Sequence, residues 1–572
     1  MTKPRIQVLK FGSSVLKTEQ DLPKAVGEIY RWWRQGYAVV AVVSALDGRT
    51  DVLFRQANDN NGFEGEVGTA EWVATGEAEA VALLQLACQR AGLPSRAWDA
   101  ARLGLRLTGP VLDAKPAAVD VARLRRQLQS CPILVVPGYV GLHQEGHLAL
   151  LGRGGSDLSA VYLAQRLNGR CRLLKDFPGI FQWDPHRPGP APKRLTQLPF
   201  DRALAVGGQV LQAKAVHFAR QADFPFEVSA CGHEEATLVG ADRLEEVSAR
   251  SRKESLPVSL WGLGTVGSGV FERLQAHPDQ FQIGSILIKD PAKTRPAGIS
   301  PNQLRYRPED CLDGEPGVVV DVTGGGCRDA SWRLAAVQQG WHFVTADKEL
   351  LSEHGEALRW EAEIAGVSVR ASAAVGGALP ALEWIRRIAE GPGVASMAGV
   401  LNGTCNFLLN ELAAGCSWDS ALEAARERGF AEADSREDLS GRDAARKLFL
   451  LAQQAWPQLQ LPDGGIFPSE ALEPKAVDPR KGLRIRQVAR ASLDSGGRIK
   501  AGVRLEPVGA GHPWFELPDQ GNGLQLWDRK GAVYELRGAG AGCRPTTEAV
   551  IADLWDLWRQ MGRACRLEEV GS

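Results

Sequence analysis

The chain has 572 residues, 44% of them hydrophobic and 24% charged, and its 67 lysines and arginines nearly match its 68 aspartates and glutamates. That length exceeds what one core can fill and predicts three or four globular units, while the charge balance excludes both a broad basic field for nucleic acid and an acidic tail. Ten cysteines stand singly without a CxxC pair, so neither a disulfide framework nor a thiolate zinc site is expected. The longest apolar run, YAVVAVVSAL, is about half a membrane span, and no charged-then-apolar leader precedes it, so a cytoplasmic protein is expected, without nucleic-acid or membrane partners.

In chain order, the first strand runs from Ile6 to Leu9 and delivers Lys10, Gly12, Ser13 and Ser14 into a polar turn, before a helical pattern from Ala25 to Trp33. A lysine at a strand end, followed by glycine and hydroxyl residues, can cradle phosphate between backbone N–H groups and an ammonium. Next, VVSALDGRTDVL sets Ser44, Gly48, Thr50 and Asp51 after a buried strand. ATGEAEA reads as a helix start carrying Thr75, Gly76 and Glu77, and LLGRGGSDLSAVYLAQRL puts Arg153, two glycines, Ser156 and Asp157 before a long amphipathic helix. Apolar β-branched runs alternate with helical periodicity throughout, the mark of α/β units with buried parallel strands. Loops at strand ends of such sheets converge on one crevice.

These signatures, with KDFPGIFQWDP downstream, resemble the aspartokinase catalytic domain of the amino acid kinase superfamily over residues 1–241. The resemblance implies a three-layer fold, Mg-ATP as phosphoryl donor and L-aspartate as acceptor. It assigns Lys10 and Asp157 to catalysis, Gly12, Ser13, Ser14, Lys175, Asp176 and Trp183 to the nucleotide, and Ser44, Thr50, Glu77, Arg153 and Ser156 to the amino acid. Two departures stand out: one glycine rather than two precedes the Ser13–Ser14 pair, as in glutamate 5-kinases, and Gln212 and Ala213 replace the family's usual His-Pro. A catalytically silent kinase-like domain that only binds ligand or assembles the oligomer is the rival reading, and a different acidic amino acid as acceptor is a third.

The segment from Asp242 to Glu254 is charged and reads as a linker helix spanning residues 242–255, before a fresh strand at Leu256. That strand enters WGLGTVGSG, in which Gly262, Gly264 and Gly267 match GxGxxG at a strand-turn-helix junction, the fingerprint of a Rossmann dinucleotide site. Thr265 and Val266 open the helix. The second strand ends at Lys289, with Lys293 and Arg295 close behind; cations there favour a 2′-phosphate, hence NADP(H), though Asp290 leaves room for NAD. Two further strands end at Thr323 and just before Lys348. Downstream, Asp443 and Lys447 lie four apart and share a helix face, with Glu432, Asp434 and Asp438 leading into that helix.

From residue 256 onward, these features together with NGTCNF, AEAD…DLSGRDAARK and GAGAGCRPTTEAVIADL resemble homoserine dehydrogenase. The resemblance implies a Rossmann domain over 256–380, completed by about 538–572, and an α+β catalytic and dimerisation domain over 381–537. It assigns Gly262, Gly264, Thr265, Val266, Gly267, Lys289, Thr323 and Lys348 to the cofactor, Lys348 and Lys447 to catalysis, and Glu432, Asp438 and Asp443 to the substrate amino acid. It further implies a homodimer or larger homo-oligomer, acting on aspartate semialdehyde and homoserine. Val375 and Gly376 fall where this family often offers carbonyls to a monovalent cation, but Ser372 replaces an acid there, and no residue is assigned to a metal. Bifunctional relatives usually carry regulatory ACT domains between the two activities, and the short interval before Leu256 leaves no room for one.

Overall fold

The computed structural model describes all residues except 1–3, 60–64, 186, 188–190, 207–209, 249–254, 325–329, 429, 432–434, 459–465, 475–481, 520, 541 and 571–572, and only the backbone at 59, 206 and 562–570. It divides into two units. One contains the described residues between 3 and 90 and between 94 and 252; the other contains those of 91–93 and those between 253 and 572.

The first unit is built on a ten-stranded sheet whose centre is parallel: Arg5–Phe11 lies between Tyr37–Val43 and Arg170–Lys175, with Ile133–Pro137 beyond. All seven residues of Tyr37–Val43 are buried, which explains why that run is apolar at every position rather than alternating. Its even-numbered side chains, Ala38, Val40 and Val42, share a core with Leu124 and Leu128 of the helix Val121–Ser130 and with Val161 of the helix Gly155–Leu167. The helices Leu22–Arg34 and Glu66–Arg90 also pack on this strand. Each such valine or leucine side chain, fully withdrawn from water, stabilises the sheet by about 1.5–3 kcal/mol. A smaller four-stranded sheet carries the hairpin Val140–His143 and Leu148–Leu150.

Two sequence expectations are corrected in this unit. Thr75, Gly76 and Glu77 sit in the middle of the helix Glu66–Arg90, not at its start, because an apolar face at Ala70 and Val73 extends the helix upstream. The stretch after Asp242 is not helical at Glu245–Val247, which forms an edge strand antiparallel to Arg194–Leu198. Cross-strand pairing wins there: Gln197 donates to Glu245 at 2.5 Å, and Lys193 pairs with Glu246. Residues 249–254 of the expected linker helix lie outside the described residues.

In the second unit, six parallel strands run in the order Leu304–Arg305, Phe281–Leu287, Leu256–Trp261, Val318–Asp321, His342–Thr345, Val369–Arg370. The order reverses direction beside Leu256–Trp261, and a doubly wound sheet opens its ligand crevice at that reversal. The long helix Cys543–Val570 packs on the helix Thr265–Gln275, and Ala549, Val550, Ile551 and Leu554 share one core with Val258, Val270 and Phe271. Gly269 makes that approach possible, since a Cβ there would press within 2.8 Å of the Thr547 hydroxyl. A five-stranded antiparallel sheet, Ile499–Gly509, Leu483–Leu493, Val394–Val400, Gly521–Asp528 and Val533–Ala539, carries the helices Gly403–Ala413 and Arg442–Ala455.

Candidate active sites

In the first unit, the loops at the carboxyl ends of the central strands surround a crevice of about 1110 Å³. It is lined by Lys10, Gly12, Ser13, Ser14, Ser44, Thr50, Glu77, Arg153, Ser156, Asp157, Lys175 and Asp176, so the structure gathers twelve sequence-predicted residues from five segments into one place. Trp183 is exposed and is not among the lining residues.

At the crevice floor, Asp157 bridges two lysines. Lys10 Nζ lies 2.8 Å from Oδ1 and Lys175 Nζ lies 3.1 Å from Oδ2. Burial alone would raise the Asp157 carboxyl, but the two ammonium groups outweigh it and hold it at about 2. Burial in turn lowers Lys10, assisted by Lys175 and opposed by Asp157. The result is one fixed anion flanked by two cations, with a net positive charge facing the crevice. Lys10 folds back over Gly12, where a Cβ would collide with the ammonium unless that side chain shifted. Val15 and Leu16 N–H both donate to the Gly12 carbonyl and close the turn.

Glu77 is 2% exposed and accepts the Ala45 N–H at 3.4 Å. Burial pushes its carboxyl up to about 7, with that weak backbone bond acting the other way. Across the crevice, Arg153 is exposed and forms no ion pair among the described residues. Its loop is held by Gly152 and Gly154, at φ 67° and 79°. Tyr139 was not singled out from sequence: it lines the same crevice at φ 66°, fixed by its N–H donating to Ser159 Oγ, and burial raises its phenol to about 12. A tyrosine two residues after a buried strand carries no local signal for that backbone strain.

In the second unit, the three glycines of the fingerprint do three different jobs. Gly262 takes φ 97°, and a Cβ there would meet the Val322 carbonyl at 2.7 Å. Gly267 packs onto the Gly262 carbonyl, with no room for a side chain. Gly264 faces open space. That combination leaves a helix N-terminus uncovered for a dinucleotide pyrophosphate, so the residues present fit the group. Thr265 and Val266 open that helix. Beyond the second strand, Lys289 and Lys293 are exposed without a carboxylate partner among the described residues, and Asp290 accepts the Ala292 N–H at 2.9 Å. Just after the strand Val318–Asp321, the Thr323 hydroxyl donates to Asp321 at 2.6 Å and accepts from Arg333.

Lys348 opens the helix Lys348–Ala365, where Asp347 caps the Glu349 and Leu350 N–H groups at 3.0 Å each. From the catalytic layer, Asp443 meets it: Lys348 bonds Oδ1, while Lys447 lies 2.8 Å from Oδ2 and also donates to the Leu401 carbonyl at 2.9 Å. Asn402 ties this group together by donating to Asp443 at 2.8 Å and to Asp438 at 2.7 Å, and Thr404 bonds Asp438 at 3.2 Å. Burial would raise Asp443, but Lys447 and Lys348 hold it well below the usual carboxylate range. Asp438 goes the other way, raised by burial and by the neighbouring Asp443. Burial acts to lower Lys348, yet Asp443, Asp438 and Glu349 outweigh it and keep the ammonium above its ordinary value. Asn402 and Thr404 lie inside NGTCNF, but nothing in that hexapeptide shows which side chains turn inward. Glu432 and Asp434 lie outside the described residues. Ser372 Oγ binds Glu383 and, at 2.6 Å, Asp553, while the Gly376 carbonyl accepts the Leu379 N–H at 2.9 Å.

A Rossmann sheet with this glycine turn, facing a lysine–aspartate group, defines a pyridine-nucleotide oxidoreductase, preceded by a separate phosphate-handling α/β unit. Family models agree with each part: "Amino acid kinase family" over residues 5–228, "Homoserine dehydrogenase, NAD binding domain" over 262–371 and "Homoserine dehydrogenase" over 380–555. The chain is 30% identical over 321 residues to a homoserine dehydrogenase of Bacillus subtilis, covering 54% of this chain and 74% of that protein. It is 32% identical to one of Pseudomonas aeruginosa, covering 53% and 72%. An aspartokinase of Pseudomonas aeruginosa is 30% identical over 244 residues, 42% of this chain and 59% of that one. The chain belongs to the homoserine dehydrogenase family, and its first unit is a domain of the amino acid kinase family. Among the described residues, no helix is long and apolar enough to cross a membrane.

Proposed function

We propose that the chain is a bifunctional enzyme that phosphorylates the side-chain carboxylate of L-aspartate with Mg-ATP and interconverts L-aspartate 4-semialdehyde and L-homoserine with NADP(H). The observation that carries the kinase reading is the Lys10–Asp157–Lys175 bridge in the crevice that the exposed Arg153 also lines. Phosphoryl transfer depends mainly on positioning and charge neutralisation. Lys10 and Lys175 supply fixed positive charge for the transferring group, oriented by Asp157. Arg153 can take a substrate carboxylate in fork geometry, and Glu77 answers the α-ammonium. A silent kinase-like domain has no need to keep a buried carboxylate between two lysines.

For the dehydrogenase, Gly262, Gly264 and Gly267 would hold the pyrophosphate, and Lys289 with Lys293 favours a 2′-phosphate, hence NADP(H) over NAD(H). When bound there, the dinucleotide supplies hydride exchange at the carbon bearing the reacting oxygen. Lys348 and Lys447 flank Asp443, which holds both ammonium groups in place. Lys447 uses two of its three donors on Asp443 and Leu401, whereas Lys348 uses one on Asp443. Lys348 is therefore the better placed to give a proton to, or take one from, that oxygen. Asp438 and Asp443 supply the negative charge for the substrate ammonium.

Two separate assays on one preparation test the reading: aspartate-dependent ADP formation with the acyl phosphate trapped as hydroxamate, and homoserine-dependent reduction of NADP. Both signals are expected. Dehydrogenase activity without any kinase signal at saturating aspartate and Mg-ATP would leave the first unit a binding domain.

A further inference from the structure

A second hollow of the first unit, about 460 Å³, lies apart from the crevice and shares no lining residue with it. Its walls are cationic. Arg96 comes from the strand Ser95–Ala97, Arg102 from the short helix Ala100–Leu103, and Arg123 and Arg126 from the helix Val121–Ser130. All four are exposed, and none of their guanidinium groups has a carboxylate or carbonyl partner among the described residues. Arg125 shows the contrast: it donates to the Leu167 carbonyl at 2.5 Å and does not line the hollow. The carboxylates of these segments, Asp99 and Asp120, cap helix starts, accepting the Arg102 and Arg123 N–H groups at 2.7 and 2.9 Å.

We propose that this hollow binds a small anion carrying two or more linked phosphate groups, a pyrophosphate or triphosphate moiety. Arg123, Arg126 and Gln127 stand at i, i+3 and i+4, so one helix face presents two cations and an amide to the hollow. A face that serves only solubility usually alternates in sign, because like charges one turn apart repel and opposite ones attract. The helix Val121–Ser130 contains no acid, and Arg123 stands in its first turn, where the helix dipole disfavours a cation. An anion in the hollow relieves both penalties. The site is also held ready for it. The Arg123 guanidinium lies 4.9 Å from the centre of the Trp98 ring, within reach of its π-face. Trp98 is 7% exposed and is tied to the central sheet by its N–H, which donates to the Val135 carbonyl at 2.9 Å. Guanidinium forks match phosphate oxygens in pairs, and four forks exceed what one carboxylate or one phosphate can engage. Linked phosphates spread their charge over enough oxygens to meet them. Trp98 is too buried to stack with a base, so recognition rests on the phosphates, which inorganic and nucleoside sources share.

Full-length protein is titrated by calorimetry with inorganic triphosphate, with orthophosphate in parallel, and amide hydrogen exchange is followed over residues 121–130. Combining Lys10→Met with Lys289→Ala weakens the crevice and the dinucleotide turn as rival sites for the same anion. We expect one equivalent of triphosphate that survives this double variant, much weaker binding of orthophosphate, and slower exchange in the helix once its like charges are neutralised. Arg96→Ala and Arg126→Ala, both at exposed positions, should each weaken that equivalent by about tenfold or more and abolish the exchange effect. ATP titrated into the double variant separates the sources: competition with triphosphate assigns the site to a nucleotide, and lack of competition assigns it to an inorganic anion. Absence of triphosphate binding below about 1 mM overturns the proposal, as does its loss in the double variant or equal binding by Arg126→Ala.

Discussion

Replacing Glu77 by glutamine separates what the buried carboxylate costs the fold from what it gives the reaction. Burial raises this group from 4.5 to about 7. A difference of about 2.5 units corresponds to roughly 3 kcal/mol of preference for the protonated form in the folded state. The sign follows from proton binding: below pH 4.5 the folded and unfolded states are both protonated, so the charge exerts no penalty. Between 4.5 and 7 the unfolded chain releases its proton while the folded one keeps it, and stability falls as pH rises. Above 7 the loss is complete. Glutamine removes the titration and can still accept the Ala45 N–H. Glu77→Gln should therefore match the wild type near pH 4.5 and exceed it by up to about 3 kcal/mol at pH 8.5, with the gap opening between the two values. Urea-dependent amide exchange in the strands Arg5–Phe11 and Tyr37–Val43 of the full-length protein measures this. A gap of constant size across pH 5 to 8.5 would refute the assignment of an anomalous carboxyl to Glu77. In parallel, the KM for aspartate should rise sharply in the variant, since the substrate ammonium loses a buried carboxylate partner.

Lys447→Met should lower homoserine oxidation by about 10²-fold or more while aspartate-dependent ADP formation stays unchanged, measured by the paired assays. Gly12→Ala should cost kinase turnover about tenfold or more by displacing the Lys10 ammonium, and leave the dehydrogenase alone; unchanged kinase rates would mean that Lys10 does not sit over the turn during catalysis. Lys289→Ala should raise the KM for NADP by about tenfold relative to that for NAD, and equal changes for both would make the lysine structural. Because the Lys348 ammonium is held above its ordinary value, semialdehyde reduction should stay flat from neutral pH to about pH 9, whereas homoserine oxidation climbs with pH; a falling oxidation limb over that range would exclude Lys348 as the proton acceptor.

Much of this architecture was legible from local pattern. YAVVAVV announced a strand buried on both faces, and WGLGTVGSG announced a strand, a turn and a helix, because each signal is complete within a few residues. Much of the crevice of the first unit could be assembled because most of its loops follow their own strands, whereas Glu77 enters it from the middle of the helix Glu66–Arg90. What escaped was of two kinds. Element boundaries failed where a distant partner decided them: Glu245–Val247 is charged enough for a helix, yet Arg194–Leu198 offers it a ladder. Inward side chains failed where orientation is set by packing, as with Asn402, which joins the carboxylates of Asp438 and Asp443, and Tyr139, whose backbone is pinned by Ser159 from the next helix. Trp183, assigned to the nucleotide by resemblance, stands exposed and does not line the crevice.

The helix Cys543–Val570 has a consequence for how the second unit comes into being. Its side chains finish the core that Leu256–Trp261 and Thr265–Gln275 begin, and the ion pair from Arg273 to Glu548 spans the same distance in sequence. The entire catalytic layer is synthesised between the two halves. At about 5–20 residues per second, the glycine turn and its helix wait tens of seconds on the ribosome for the surface that covers Val270, Phe271 and Leu274. The strands of the first unit's sheet are all present in sequence once residue 247 has emerged. Chaperone demand should thus fall late in translation, on nascent chains that already hold a folded kinase unit and an unfinished dinucleotide fold.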